Sequence, residues 1–343
     1  MAKSLLGLDI GSHSIKLIEI AQDGTQNTLL AAGSIPTPPK ALASPLSADH
    51  EAIALIIRQL IKETGVKASS VAISLPESQV FTRVIEVPDL STRELSSAIS
   101  WEAEQYIPLP LDQVNIDYSI LRDAKETGTD KMDVLLVACP KTLLEKYLSI
   151  VEMAELIPIA AESEIISTSR SLAGSASNSK GAILLASLGA LTTDLAILRG
   201  GVIAFTRSIA AGGEALSRAL VSGLDFNASQ AEEFKRTYGV AQNTLQGKIV
   251  TLVKPIMDTI VTEMKRAIAF YSQKYNGEKI DAVVLSGGTA KLPGMVVYMA
   301  EALGIEVQLA NPWVNIVRDQ RFRVLDSEGT TFAVAAGLAL RDL

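Results

Sequence analysis

Asp9-Ile-Gly11, followed by Ser12, Ser14 and Lys16, is the first place where residue types and spacing suit chemistry. A Gly-Ser turn between buried strands offers backbone N–H groups and hydroxyls to a phosphate. Asp9, just before the turn, suits orienting the waters of a magnesium ion, which binds through few carboxylates. Lys16 suits neutralising phosphate charge. The same residues also read as a tight hairpin with solvated polar side chains. A second stretch, Val283-Val-Leu-Ser-Gly-Gly-Thr-Ala290, is a buried strand running into a double glycine, where a ligand can approach the backbone closely. In Ala231-Glu-Glu-Phe-Lys235, Glu232 and Lys235 stand at i and i+3 on one helical face. They can hold ribose hydroxyls or simply pair with each other.

These residues need elements to position them, and an internal repeat supplies two. Leu8–Ile20 lines up without gaps on Ala186–Leu198, with Gly11 on Gly189, Ser14 on Thr192 and Leu17 on Leu195. Two strand–turn–strand units, each opening half of the chain, predict two similar α/β domains facing a common cleft. Apolar spacing predicts a helix over 52–64 stopped by Gly65, with Ile35 to Pro45 as a surface connector. Strands are expected at 71–75, 80–87, 114–121 and 132–138, and helices at 92–106 and 141–155. This β-β-α-β-β-α block, 71–155, reads as an inserted subdomain. The first domain is then 1–70, completed by 156–178 and 328–343. The second is 179–327, mostly helical at about 213–276, entered through the small polar connector Gly174–Gly181.

Composition bounds the function. The chain has 343 residues, 48% of them apolar, and a charge of 31 − 38 = −7. Its pI is near 5.1 and its mean hydropathy +0.27. An acidic balance argues against nonspecific nucleic-acid binding. One cysteine, Cys139, and two histidines exclude disulfide frameworks and His/Cys-rich zinc sites. No apolar run reaches the roughly 18 residues of a membrane span, so a cytoplasmic chain without direct membrane insertion is expected. Cys139 reads as core, His13 as an exposed turn residue, and Trp101 and Tyr106 as packing residues on one helix.

Taken together, the hairpin pair, the Ala-Glu-x-x-Lys helix and the Ser-Gly-Gly-Thr-Ala loop occur in the order found in the actin-like ATPase superfamily, which the chain resembles. Within it, the inserted block resembles that of the FtsA and PilM families. Ile99-Ser-Trp-Glu-Ala-Glu-Gln-Tyr-Ile-Pro108, Val114-Asn-Ile-Asp-Tyr118, Leu135-Leu-Val-Ala-Cys-Pro-Lys-Thr142, Ala161-Glu-Ser-Glu164 and Asn311-Pro-Trp313 carry the PilM likeness over essentially the whole chain.

The resemblance implies ATP with magnesium in the interdomain cleft. Asp9, Gly11, Ser12, Ser14 and Lys16 form the first phosphate loop, with Asp9 reaching the metal through water. Gly189, Ala190, Thr192 and Thr193 form the second. Gly212 and Gly213 line the cleft, Glu232 and Lys235 reach the ribose or base, and Gly287, Gly288 and Thr289 back the adenosine. Superfamily members carry Asp at Ser187 and Gly at Leu191, so hydrolysis is expected to be slow or absent. Asp194 is the retained carboxylate that can substitute, and Glu162 or Glu164 in the connecting segment can orient water. The catalytic candidates are therefore Asp9, Asp194 and Glu164.

The function implied is an ATP-binding scaffold of type IV pilus biogenesis. It is expected to sit peripherally on the inner membrane by gripping the N-terminal tail of a bitopic, PilN-like partner, with self-association as a further possibility. The alternatives are an FtsA-like cell-division filament protein and a type II secretion platform component. The former is disfavoured because no basic-aromatic helix follows the last small-residue helix before Leu343. A sugar or acyl kinase needs a second substrate site with its own general base, for which the sequence offers no isolated candidate beyond the carboxylates already named.

Overall fold

The computed structural model describes residues 3–24, 26–176, 181–241 and 247–342. Lys3–Ile10 (β1) and Ser14–Asp23 (β2) form the first hairpin, and Gln26–Pro36 (β3) extends it. From Leu5 to Ile10, β1 is buried without interruption, as a strand covered on both faces must be. Ser47–Thr64 (α1) stops where Gly65 takes φ 73°, and Ser70–Leu75 (β4) pairs parallel with β1.

A separate small sheet follows. It holds Phe81–Pro88 (β5), Thr92–Glu104 (α2), Val114–Arg122 (β6), Ala124–Thr127 (α3) and Lys131–Pro140 (β7), in strand order β5-β7-β6. The reciprocal hydrogen bonds of Ser91 and Glu94 start α2. Leu95, Ile99 and Ala103 face the small core. The chain then returns through Lys141–Met153 (α4), Ile157–Ser163 (β8) and Glu164–Ala176 (α5).

The second lobe opens on Ala182–Leu188 (β9), Thr193–Arg199 (β10) and Val202–Ile209 (β11). Helices Gly213–Leu224 (α6), Ala228–Tyr238 (α7) and Lys248–Lys274 (α8) follow. Ile280–Ser286 (β12), Met295–Leu303 (α9) and Glu306–Leu309 (β13) complete a five-stranded sheet, β11-β10-β9-β12-β13. Ile316–Val317 (β14) and Gly329–Ala339 (α10) belong to the first lobe, whose sheet runs β14-β3-β2-β1-β4-β8.

Small residues in α10 have a packing reason. A Cβ on Gly7 of β1 would lie 2.1 Å from the Ala335 carbonyl oxygen, and one on Gly337 would lie 1.7 Å from that of Ser167. The helix thus presses directly on β1 and α5 and holds the first hairpin from behind.

The expected boundaries shift in four places. β4 and α4 were assigned to the 71–155 insert, but β4 lies between β1 and β8, and α4 packs in the first lobe's core. The insert with its own sheet is therefore shorter, running from β5 to β7. The return to the first lobe comes before 328, because Trp313, Ile316, Phe322 and Leu325 pack on Ile18, Ile20 and Phe332. The connector begins later than Gly174, since α5 runs to Ala176, and 177–180 lie outside the described residues. Pro36 ends a full strand, β3, rather than opening a loop. Trp101 does not pack either, being 75% exposed on α2, whereas Tyr106 is half-buried beneath the Arg83 guanidinium. Cys139 is core, as expected.

Candidate functional site

The two hairpin turns face each other across a cavity of about 870 Å³. In the first, Asp9 stands directly opposite Lys16. Lys16 Nζ donates to Asp9 Oδ2 at 3.3 Å and Ser74 Oγ donates to Asp9 Oδ1 at 2.9 Å, so each carboxylate oxygen has one partner and keeps further acceptor capacity. The turn is tight, for a Cβ on Gly11 would stand 2.8 Å from the Ser14 carbonyl oxygen. Thr37 Oγ1 donates to the Gly11 carbonyl at 2.6 Å and steadies the loop from β3's end.

In the second hairpin the register places Asp194 opposite Ser187. Ser208 Oγ donates to Asp194 Oδ1 at 2.5 Å and Thr192 Oγ1 donates to Oδ2 at 3.0 Å. Burial outweighs these bonds and pushes the Asp194 carboxyl up to about 6. The turn closes through Gly189 N–H donating to the Thr192 carbonyl at 2.9 Å. The Gly189 carbonyl accepts from the Gly213 N–H at 2.9 Å and from Thr289 Oγ1 at 3.0 Å. This loop is thereby tied to both α6 and the double-glycine turn. Gly287 takes φ 86° with its α-carbon against the Leu188 backbone, a place where only glycine fits without strain. Beyond it, Gly288 has open space where a Cβ would stand.

On α7, Lys235 Nζ reaches Glu232 at 2.6 Å, Ser217 Oγ at 2.9 Å and the Gly213 carbonyl at 3.0 Å. Although partial burial opposes it, bonds from Lys235 and Arg236 pull the Glu232 carboxyl down to about 2. The two residues pair with each other, and both line the cavity.

Asp9, Gly11, Ser12, Ser14, Lys16, Glu164, Gly189, Ala190, Thr192, Asp194, Gly213, Glu232, Lys235, Gly287, Gly288 and Thr289 all line the cavity. Three other expected residues do not line the cavity. Thr193 is wholly buried and its hydroxyl donates to the Ala211 carbonyl at 2.8 Å, because strand alternation turns it from the cleft. Gly212 supports rather than lines, its α-carbon lying against the Ala190 carbonyl. Glu162 is held by Arg170 at 2.8 and 2.9 Å and by Arg341, away from the cavity. His13 is exposed, yet it is engaged by Arg236 at 3.0 Å.

The structure adds a carboxylate that the motifs do not mark. Glu77, just after β4, is 5% exposed, and its Oε2 has no hydrogen-bond partner among the described residues. Burial, against hydrogen bonds to Ser163 and Thr82 and aided by the Asp194 charge, raises it to about 7. Glu164, at the start of α5, is raised well above the carboxylate range by burial and by Asp9, Asp194 and Glu77, with Lys16 opposing. No sequence pattern brings Glu77 to Asp194, and its polar neighbours Ser78 and Gln79 gave no sign of burial.

Residues 7–343 match the family described as type IV pilus assembly protein PilM. The chain belongs to that family. A solved PilM-PilN type IV pilus biogenesis complex is similar at 28% identity and a TM-score of 0.87, covering 98% of each chain. FtsA, a cell division protein of Streptococcus pneumoniae serotype 2 (strain D39 / NCTC 7466), is 23% identical over 89% of this chain and 75% of its own length. MreB5 of Spiroplasma citri bound to AMPPNP shares the fold, with a TM-score of 0.52 at 13% identity over 98% of this chain and 95% of its own. The actin-like ATPase fold of this PilM-family chain is thus shown. No helix among its described residues is long and apolar enough to cross a membrane.

Magnesium can be tested against the donors present. Among the described residues no three His, Cys, Asp or Glu side chains converge as a metal-binding set. Asp9 stands at the cavity floor beside the first glycine turn, and magnesium binds through few carboxylates and several waters. The residues therefore fit a hydrated ion carried on a ligand's phosphates beside Asp9, and not an ion held by protein oxygens alone. Two cavity hydroxyls, Ser286 Oγ and Thr330 Oγ1, are buried without a partner among the described residues. Such groups are costly unless a ligand or water meets them.

Proposed function

We propose that this PilM-family chain is an ATP-binding scaffold of type IV pilus assembly that docks a membrane-anchored partner and turns ATP over slowly or not at all. The observation that carries the reading is the convergence of both glycine turns, Lys16 and the Gly287-Gly288 loop on one cavity. Backbone N–H groups of the turns bind phosphate oxygens, Lys16 balances their charge, and Gly288 leaves room for the adenosine. Asp9, held by Lys16 and Ser74, would hold a hydrated magnesium ion through its waters, and that ion would supply charge to neutralise the phosphates. Glu164 and Asp194, both with raised affinity for protons, are placed to orient or accept from a water at the phosphate end. Ser187 brings no charge to that end, which supports binding over hydrolysis.

The partner reading rests on family membership and on a relative solved as a PilM-PilN complex. A PilN-like tail on the insert and the adjoining first lobe would place the protein peripherally on the inner membrane. Calorimetry with ATP and magnesium tests the cavity: saturable 1:1 binding is expected, and its loss in Gly288→Asp. No binding by the intact chain removes the nucleotide reading. Cross-linking of a partner-tail peptide should map to residues 81–140 and the facing first-lobe surface. Cross-links confined to the second lobe would remove the docking reading. Deleting the insert is a poor test, because Val84, Leu121, Leu135 and Val137 cover the back of β9 and β10.

A further inference from the structure

We propose that two side-chain clasps across the cavity, His13–Arg236 and Lys291–Glu328, gate the exchange of nucleotide. The inference rests on the nucleotide reading of the cleft and concerns its regulation. His13 stands in the first lobe's phosphate turn, and Arg236 on α7 of the second lobe. Arg236 Nη2 lies 3.0 Å from His13 Nε2, a contact that joins residues 223 positions apart. Arg236 does not swing freely, because its Nε donates to Glu232 Oε1 at 2.8 Å. Glu232 is in turn fixed by Lys235 and by Ser217 Oγ at 2.9 Å. The second lobe therefore presents a held guanidinium to the imidazole of the first.

The second clasp joins Lys291, three residues past Gly288, to Glu328 at the entrance of α10. All four residues line the cavity. Their exposure places them at its mouth: the Arg236 side chain is 62% exposed, and Lys291 and Glu328 are 32% and 39%, against 7% for Asp9 on the floor. At depth the lobes already touch, where the Gly287 N–H donates to the Thr330 carbonyl at 2.8 Å. A nucleotide bridging the two turns must pass these pairs to enter or leave. Neither pair belongs to the phosphate turns' own hydrogen bonding, so opening them leaves the floor intact.

The experiment is stopped-flow release of a fluorescent ATP analogue, with magnesium, chased by excess ATP. The proteins are the intact chain, His13→Ala, Arg236→Ala, their double variant, Glu328→Ala, and a His13→Ala/Glu328→Ala variant that lacks both clasps. Exposed pairs of this kind are weak, so each single change should speed release about two- to fivefold. Entry should accelerate similarly, leaving Kd nearly unchanged. The His13/Arg236 double variant should release no faster than either single, because both remove one contact. Rising salt should speed release from the intact chain, and should do so less in a variant lacking both clasps. Unchanged rates in the single variants overturn the gate while leaving the nucleotide site standing. Additive effects of His13→Ala and Arg236→Ala also overturn it, since Arg236 would then act on the nucleotide itself. If the intact chain takes up no nucleotide, the cleft reading and the gate fail together.

Discussion

The two hairpins that face the cavity share a backbone and differ in charge placement. At equivalent positions the first carries Asp9 opposite Lys16, and the second Ser187 opposite Asp194. In the first, the carboxylate is on the entering strand and finds an ammonium across the ladder. In the second, it has moved to the leaving strand, and among the described residues its side-chain donors are the hydroxyls of Ser208 and Thr192. The consequence is a difference in proton affinity, because burial raises Asp194 to about 6 against the two hydroxyl bonds that oppose it. One hairpin is thus self-neutralised and ready for a phosphate. The other is a hydrogen-bonded acid, and its charge adds to the burial that raises Glu77 and Glu164. A repeated backbone unit can therefore keep its ligand-cradling turn while losing the electrostatics of the reaction.

The largest effect should come from restoring the first hairpin's charge in the second. Ser187→Asp adds a carboxylate on the entering strand, and paired with Asp194→Ser it recreates a lone acid there. If that group acts like other preorganised charges, single-turnover ATP hydrolysis should rise by about 10²–10³. A double variant no faster than the parent would break the link drawn between Ser187 and slow turnover. Next in size is the pH dependence of stability. Glu77 and Asp194 have folded-state pKa values raised to about 7 and about 6. Their stabilising protonation is fully present below the unfolded values near 4 and is lost as pH rises through 6 to 7. Without nucleotide, the protein should be most stable near pH 5. Glu77→Gln should gain up to about 3 kcal/mol at pH 8 and little at pH 5, measured by urea unfolding at both. A flat difference between the two pH values would contradict the assignment.

Asp9→Asn and Asp194→Asn sharpen the contrast directly. The first leaves Lys16 without its partner and should cost about 1–3 kcal/mol at pH 7. The second removes a strained charge and should be neutral or mildly stabilising at pH 8, so equal losses would mean the hairpins are electrostatically alike. Smallest is Thr192→Val, which deletes one hydroxyl donor to Asp194 and should cost about 1 kcal/mol, less at pH 5 where the acid is protonated.

Much of this was legible locally. Glycine at 11, 189 and 287, apolar alternation around them, and the i, i+3 pair on α7 are short-range patterns, and a turn or a helical face depends on few neighbours. That is why both hairpins, the Gly-Gly loop and the α7 pair were readable, together with family-specific stretches in the insert. The insert's limits were not, because β4 and β5 look alike in sequence and differ only in which sheet receives them. Nor was the direction of Thr193, set by a strand register that a one-residue shift reverses.

The sequence by itself determined the strands, the turns and the residue types available at each turn. Tertiary structure decided which of those residues meet. Glu77 lies 117 residues before Asp194, and His13 lies 223 before Arg236, yet packing of two lobes and an insert brings each pair into interaction. Burial and charge depend on all surrounding elements at once, so proton affinity and cross-lobe contact arise only when the sheets are assembled. A Ser at 187 and an Asp at 194 are sequence facts; that they share one rung is a fact of the fold.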